Sequence, residues 1–169
     1  MKIKHNKLLH VIGNKSNVGK TTLSEFITSE MKKRGLTVGF LKHSLHNHPL
    51  DKPGTDSFRL QQAGASPSIF YTPAGMAIVK KNHDQKQSEE FISHIFADCD
   101  LVLIESNRSA DGQKIVFAES ESDLEGIKNI LAIISTTLKN TQHPTFSHGN
   151  EKLINFIVEK FELKNLPSV

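Results

Sequence analysis

The sequence has little of what several protein classes require. Its single cysteine, Cys99, excludes an internal disulfide and a cysteine metal cluster, which fits a reducing compartment. No apolar run approaches the roughly 18 residues of a membrane-spanning helix. The basic start of the chain is followed by only a short apolar run, which is not typical of a signal peptide. We therefore expect a cytoplasmic protein with no membrane partner.

The chain also lacks strong charge of either sign. Its net charge is +3, and no run of lysine or arginine is long enough to form a nucleic-acid-binding arm, so we expect no nucleic-acid partner. Of its 169 residues, 37% are apolar and 23% are charged, which is an ordinary globular composition. This length predicts one domain over residues 1–169. The motif described next predicts that this domain binds a nucleotide.

The most informative stretch is a glycine-containing loop between a predicted strand and a predicted helix. Leu8–Ile12 is a short apolar run typical of a buried strand, and apolar residues recur at helical spacing from Leu23 to Met31. This is the P-loop arrangement, in which backbone N–H groups converge on a polyphosphate. We predict that the loop and the start of the helix bind a nucleotide through Asn14, Lys15, Ser16, Asn17, Val18, Gly19, Lys20, Thr21 and Thr22.

Individual roles follow from the motif. Lys20 would reach the β- and γ-phosphates as a catalytic residue, and the Thr21 hydroxyl would be a ligand of Mg²⁺. Asn14 stands where the motif usually has glycine, and we expect the turn to form because asparagine tolerates a left-handed backbone, with Gly13 relieving the bend. Lys15 has two interpretations, a solvated loop lysine or a lysine that reaches a partner's nucleotide.

The rest of the pattern predicts an α/β protein with the three-layer P-loop NTPase fold and a mostly parallel central sheet. We predict a β-hairpin within residues 68–80 and a closing helix from His148 to Phe161. Further strands are predicted at Thr37–Lys42, Leu101–Ile104, Lys114–Ala118 and Ile130–Ile134. The segment from Gln87 to Ala97 predicts an amphipathic helix, whose apolar stripe is expected to pack in the core and comprises Phe91, Ile92, Ile95 and Phe96.

One acidic residue is placed to complete a metal site. In an open α/β sheet, ligands bind outside the carboxyl ends of the strands. Asp98 and Asp100 precede the strand Leu101–Ile104 and fall at the opposite edge, whereas Glu105 follows it. We therefore predict that Glu105 and Thr21 together hold Mg²⁺, which needs few protein ligands because it keeps several waters.

Three further segments resemble one family. They are Val38–His43, ending in Lys42 and His43, then Asp51–Arg59, which contains Asp-Lys-Pro-Gly-Thr-Asp-Ser, and then Ala63–Ala65. Together with Gly19–Leu23, the strand ending in Glu105, and Lys114–Val116, they resemble molybdopterin-guanine dinucleotide biosynthesis protein B, the MobB family. The resemblance covers roughly residues 7–135.

The resemblance implies a GTP-binding accessory protein of molybdenum cofactor biosynthesis, a homodimer with weak GTPase activity and with GTP and Mg²⁺ as ligands. The implied partner is the guanylyltransferase that attaches GMP to molybdopterin, with molybdopterin itself a further candidate. It also implies that Lys42, His43, Asp51 and Asp56 face the nucleotide or the partner. Asp56 is a candidate to orient the attacking water.

Several points stay open. Ser106 stands where the family usually has glycine. The sequence has no Asn-Lys-x-Asp run, the motif with which many GTPases recognise guanine, so the expectation of GTP rests on the resemblance. Ser135–Lys139 is placed to meet the base but does not specify guanine. The alternatives are a P-loop small-molecule kinase or ligase, an interaction module with a vestigial P-loop, and a nucleotide-gated metal-cofactor chaperone. The last would use the loop histidines His43, His46 and His48, whereas His143 and His148 carry no functional signal.

Overall fold

The computed structural model describes residues 3–44, 49–81, 84–106, 108–139 and 141–164. Within these ranges the chain forms eight strands, four α-helices and a 3₁₀ helix at Glu121–Leu124. The strands are β1 (Leu8–Gly13), β2 (Val38–Lys42), β3 (Ser68–Thr72), β4 (Gly75–Val79), β5 (Leu101–Glu105), β6 (Gln113–Phe117), β7 (Ile130–Ile134) and β8 (Thr145–Phe146). The helices are α1 (Lys20–Lys33), α2 (Asp56–Gln62), α3 (Gln85–Ile95) and α4 (Glu151–Lys160). None of the helices in these ranges is long and apolar enough to cross a bilayer.

Six strands form the central sheet in the order β2-β5-β1-β6-β7-β8, and every neighbouring pair is parallel. Gly13 is level with Phe117 on one side of β1, and Val11 is level with Glu105 on the other. Because the strands point the same way, the loops that follow them meet at one edge of the sheet. The predicted mostly parallel α/β fold is confirmed, and so is the hairpin, since β3 and β4 form a separate antiparallel pair.

The larger part of the core lies between the sheet and helices α1 and α4. Odd-numbered residues of β1 face this side, because successive side chains of a strand alternate between the two faces. The helices contribute one buried stripe each, at three- and four-residue spacing. Its fully buried members are Leu9, Val11, Leu23, Ile27, Met31, Leu101, Leu103, Ile115, Ala132, Leu153, Ile154 and Ile157. This packing fixes α1 and therefore the loop that precedes it.

The opposite face of the sheet has two separate covers. A smaller cluster joins Ile12 and Val116 to Leu124 of the 3₁₀ helix. Over β2, the Phe96 ring lies so close to Gly39 that a Cβ atom there would be 2.6 Å from it. Layers on both faces give the three-layer arrangement expected from the sequence.

The structure differs from the sequence predictions at three places. The apolar stripe predicted within residues 87–97 is core only in part, because Phe91 and Ile95 are 37% and 55% exposed, whereas the Phe96 ring packs against Gly39. The closing helix begins at Glu151 instead of His148, since the Asn150 side chain accepts a hydrogen bond from the Lys152 amide and caps it there. The sequence pattern also did not predict the two-residue strand β8, which is too short to carry a periodic signal.

Candidate functional site

The loop between β1 and α1 has the backbone that a phosphate cradle requires. Asn17 and Gly19 adopt positive φ angles of 60° and 100°, and the Gly19 carbonyl accepts the first helical hydrogen bond, from the Leu23 amide, at 2.9 Å. Gly13 is needed for packing, because a Cβ atom there would be 2.8 Å from Cγ2 of Val18. The turn therefore places the amides that follow it at the N-terminus of α1, where the helix dipole favours an anion.

Asn14 does not have the conformation expected from the sequence. Positive φ angles occur at Asn17 and Gly19 in this loop, so Asn14 does not supply the left-handed turn, and that expectation is wrong. Instead its side-chain amide donates to the Asp123 carboxylate and accepts from the Arg108 guanidinium. Asn14 thus ties the start of the loop to the 3₁₀ helix.

A hydroxyl, a carboxylate and an ammonium group converge beside the loop. The Thr21 hydroxyl donates to Oε2 of Glu105 at 3.4 Å, and Nζ of Lys42 lies 3.7 Å from Oε1 of the same carboxylate. These positions follow from the register, in which Lys42 and Glu105 end adjacent strands. The sequence rule about strand ends therefore brings Glu105 to the same edge as Thr21.

These groups line a cleft of about 410 Å³. Its lining consists of Ser16, Asn17, Gly19, Lys20, Thr21, Thr22, Lys42 and Glu105. Nζ of Lys20 donates to the carbonyl of Lys15 at 3.1 Å, so the ammonium group lies across the mouth of the loop. The cleft combines amides, an ammonium and a hydroxyl with one carboxylate, which suits a polyphosphate with a hard divalent cation. A threonine hydroxyl and a carboxylate at this spacing fit Mg²⁺, which prefers oxygen ligands.

Other residues singled out from the sequence lie beside this cleft or away from it. The His43 amide donates to the Glu105 carbonyl at 3.0 Å, but His43 does not line the cleft. Asp56 is exposed at the start of α2 and is also absent from the lining. Asp51 accepts hydrogen bonds from the Lys52 amide at 2.7 Å and the Gln61 side chain at 3.0 Å. His46 and His48 lie outside the described residues.

The pKa of Asp51 is lowered, mainly by a hydrogen bond from Ser57 and then by the Lys52 amide. Since these partners belong to the same segment, the carboxylate of Asp51 serves to fold the loop onto α2.

The structure also places two residues at the loop that the sequence did not single out. Viewed from Gly19, the nearest groups are the Phe117 ring and the His148 ring, which would lie 3.5 Å and 3.6 Å from a Cβ atom there. The two ring centroids are 6.3 Å apart. Phe117 ends β6, and His148 follows β8, so only the strand order brings them together. No local motif in the sequence signals this contact.

A second carboxylate lies at the same edge, beyond the loop. Glu119 follows β6, and its Oε2 accepts hydrogen bonds from the hydroxyls of Thr137 at 2.6 Å, Thr136 at 3.3 Å and Ser135 at 3.4 Å. These bonds, led by that from Thr137, hold the pKa of the Glu119 carboxyl below its usual value. The carboxylate is therefore ionised and fixed in orientation.

Comparison with known proteins identifies the family. The family model for MobB, molybdopterin guanine dinucleotide synthesis protein B, matches residues 8–136. The chain belongs to the MobB family. The resemblance noted in the sequence is thereby confirmed, and the match spans β1 through the end of β7.

Individual MobB relatives align along most of the chain. The molybdopterin-guanine dinucleotide biosynthesis adapter protein of Escherichia coli is 27% identical over 159 residues, covering 89% of this chain and 91% of the relative. A probable adapter protein of Bacillus subtilis is 28% identical over 166 residues, covering 92% and 93%. The crystal structure of Bacillus subtilis MobB superposes with a TM-score of 0.72 at 25% identity, covering 95% of this chain and 99% of that one.

One departure from the MobB pattern has a structural explanation. Ser106, where the family usually has glycine, turns its hydroxyl to Nδ1 of His10 at 2.8 Å. His10 is buried in β1 on the face of the sheet that lies away from α1. The Ser106 side chain thus contacts the interior of the sheet, and it is not among the residues that line the cleft.

Proposed function

We propose that this MobB-family chain binds GTP with Mg²⁺ and acts as an adapter protein in molybdopterin-guanine dinucleotide biosynthesis. The observation that carries the proposal is the convergence of the loop amides, Lys20, Thr21 and Glu105 on one cleft of about 410 Å³. The amides and the Lys20 ammonium would hold the phosphates, and the Thr21 hydroxyl and the Glu105 carboxylate would hold the cation. The pathway is supported by the names of the relatives.

Hydrolysis is expected to be slow. Of the described residues that line the cleft, none is an arginine, glutamine or histidine that would stabilise transferred charge or orient water. Asp56, the candidate from the sequence, begins α2 outside the lining. The residues therefore support tight positioning of a triphosphate more than its rapid cleavage. A turnover on the order of 10 per second, typical of enzymes, would contradict this.

Binding is tested by calorimetry with GTP, in the presence of Mg²⁺ and in EDTA. Lys20→Ala should weaken GTP affinity about ten- to a hundredfold, because a hydrogen bond to a charged group contributes about 1.5–3 kcal/mol. Thr21→Ala should remove most of the difference between Mg²⁺ and EDTA. The matched control is Lys32→Ala, at the far end of α1, about 18 Å along the helix from Lys20. Equal affinity of the Lys20→Ala and wild-type proteins would refute the proposal.

The same proposal includes a homodimer joined through the hairpin. In β3 and β4, the side chains of Ile69, Phe70, Tyr71 and Met76 are between 58% and 76% exposed. A two-stranded hairpin is marginally stable alone, and an exposed apolar patch of this kind marks an interaction site. The resemblance to MobB proteins favours a second copy as the occupant.

Sedimentation velocity tests the homodimer. Tyr71→Asp should shift the protein to a monomer, because it places a charge at the centre of the covered surface, whereas Tyr71→Phe should keep the wild-type mass. A monomeric wild-type protein would refute this part of the proposal without affecting nucleotide binding. The guanylyltransferase is the proposed partner, and co-sedimentation with it in the presence of GTP is the direct test.

A further inference from the structure

The strand order determines on which side of the loop the nucleoside must lie. Glu105 and Lys42 border the cleft from β5 and β2, on one side of β1. If the cation and the terminal phosphate lie there, the rest of the nucleotide extends toward the other side, over the ends of β6, β7 and β8. On that side the Phe117 and His148 rings flank Gly19. The groups beyond them are therefore those that a base would meet.

Glu119 is an acidic residue on that side whose carboxylate is held by neighbouring hydroxyls. Its backbone amide donates to Oδ2 of Asp123 at 2.9 Å, and Oδ1 of Asp123 accepts from Asn14, the first residue of the loop. The backbone of Glu119 is thus connected to the phosphate cradle through one residue, Asp123. Its side chain points toward the segment after β7, where the Thr137 hydroxyl is 2.6 Å from Oε2.

The arrangement leaves the carboxylate able to accept further hydrogen bonds. A carboxylate accepts about four, and the Thr136 amide is one of its donors. The three hydroxyls of residues 135–137 all approach Oε2, and that of Thr137 also lies 2.7 Å from the Glu119 carbonyl. None of these three hydroxyls bonds to Oε1, and the residue is exposed at the sheet edge. A carboxylate whose rotamer is fixed by neighbouring hydroxyls is preorganised for a ligand with adjacent N–H donors.

We infer that Glu119 selects guanine over adenine by accepting hydrogen bonds from N1–H and the 2-amino group of the base. Adenine presents a lone pair at N1 and a C–H at position 2, so its edge would repel the carboxylate and offer it no hydrogen bond. This inference rests on the proposed function, because it concerns the same nucleotide site. It adds a specificity determinant that lies outside the phosphate cleft.

The test is calorimetry of the full chain with Mg²⁺ and four triphosphates, those of guanosine, inosine, xanthosine and adenosine. The wild-type protein should bind GTP about ten- to a hundredfold more tightly than ATP, because the contacts are to a charged acceptor. Inosine triphosphate, which lacks the 2-amino group, should bind between the two. Glu119→Gln should weaken GTP binding by about the same factor and leave ATP binding within about threefold.

Glu119→Gln should also gain affinity for xanthosine triphosphate. Its amide oxygen can accept from N1–H, and its amide N–H can donate to the 2-oxo group, so binding should rise about tenfold over wild type. Thr137→Val, which frees the carboxylate without removing it, should reduce the preference for GTP and give no gain for xanthosine triphosphate. The matched control is Glu121→Gln, on the neighbouring 3₁₀ helix, which should leave all four affinities unchanged. Circular dichroism and thermal midpoints establish that each variant is folded.

The outcomes separate the two claims. An unchanged ratio of GTP to ATP affinity in Glu119→Gln, together with a loss of both in Lys20→Ala, overturns the role of Glu119 and leaves nucleotide binding standing. A wild-type protein that binds ATP as tightly as GTP overturns it as well. Failure of the wild-type protein to bind any triphosphate overturns both claims.

Discussion

The buried histidine of β1 should make the stability of the fold depend on pH. His10 is 7% exposed, and its Nδ1 lies 2.8 Å from the Ser106 hydroxyl. Burial is the main cause that lowers the pKa of His10 from 6.5 to about 4, and the charge of Lys114 adds to it, while Asp111 acts in the opposite direction. Lys114 is itself 1% exposed, and its ammonium donates to the carbonyls of Gly112 at 3.2 Å and Lys128 at 2.8 Å.

The sign follows from which state binds the proton. Between pH 4 and pH 6.5, the unfolded chain binds a proton at His10 and the folded chain does not. The contribution of His10 to the free energy of unfolding is therefore present in full above the unfolded pKa. It is lost as the pH falls through this window and changes no further below the folded pKa. From these two pKa values, the loss is about 2 kcal/mol as the pH falls from about 7.5 to about 5.

Urea denaturation at several pH values tests this, with His10→Gln as the variant that cannot titrate. Because other groups titrate in both proteins, the informative quantity is the difference between their free energies of unfolding. As the pH falls from about 7.5 to about 5, the wild-type protein should lose about 2 kcal/mol more of its free energy of unfolding than the variant. His94→Gln, on the exposed side of α3, is the matched control. A difference that stays constant from about pH 7.5 to about pH 5 would refute the reasoning.

Two further substitutions test how the layers and the loop are held. Gly39→Ala should destabilise the fold by about 1–3 kcal/mol in urea denaturation, because its Cβ would lie 2.6 Å from the Phe96 ring; a change below about 0.5 kcal/mol would contradict that packing. Asn14→Ala should weaken GTP binding about two- to tenfold in calorimetry, since it breaks the link from the loop to Asp123. An affinity equal to wild type would show that this link does not position the loop.

The features that sequence reasoning reached are those encoded locally or by a single geometric rule. The strand, loop and helix around Lys20 follow from apolar periodicity and one motif within residues 8–31. The placement of Glu105 at the same edge as Thr21 needed only the rule that parallel strands end at one edge. Neither step required knowledge of how distant segments pair, although the distance of 3.4 Å between the two side chains also depends on the pairing of β5 with β1.

What sequence reasoning missed depends on which strands are neighbours. His148 contacts the loop at Gly19 only because β8 pairs beyond β7 and returns the chain to the same edge. Glu119 meets Thr137 for the same reason, through the pairing of β6 with β7. Asn14 was assigned a backbone role from its residue type, whereas its side chain found partners 94 and 109 residues away. Local patterns do not specify contacts of this range.

The α3 stripe marks a different limit of the sequence pattern. An amphipathic period indicates that one face of a helix is covered, but it does not say by what. Nζ of Lys80, the residue after β4, lies 5.5 Å from the centre of the Phe91 ring, so the exposed stripe of α3 and the hairpin adjoin. Phe91 and Ile95 are therefore exposed next to the exposed apolar residues of the hairpin. Under the proposed homodimer, a second copy covers both, and this part of the stripe packs between protomers.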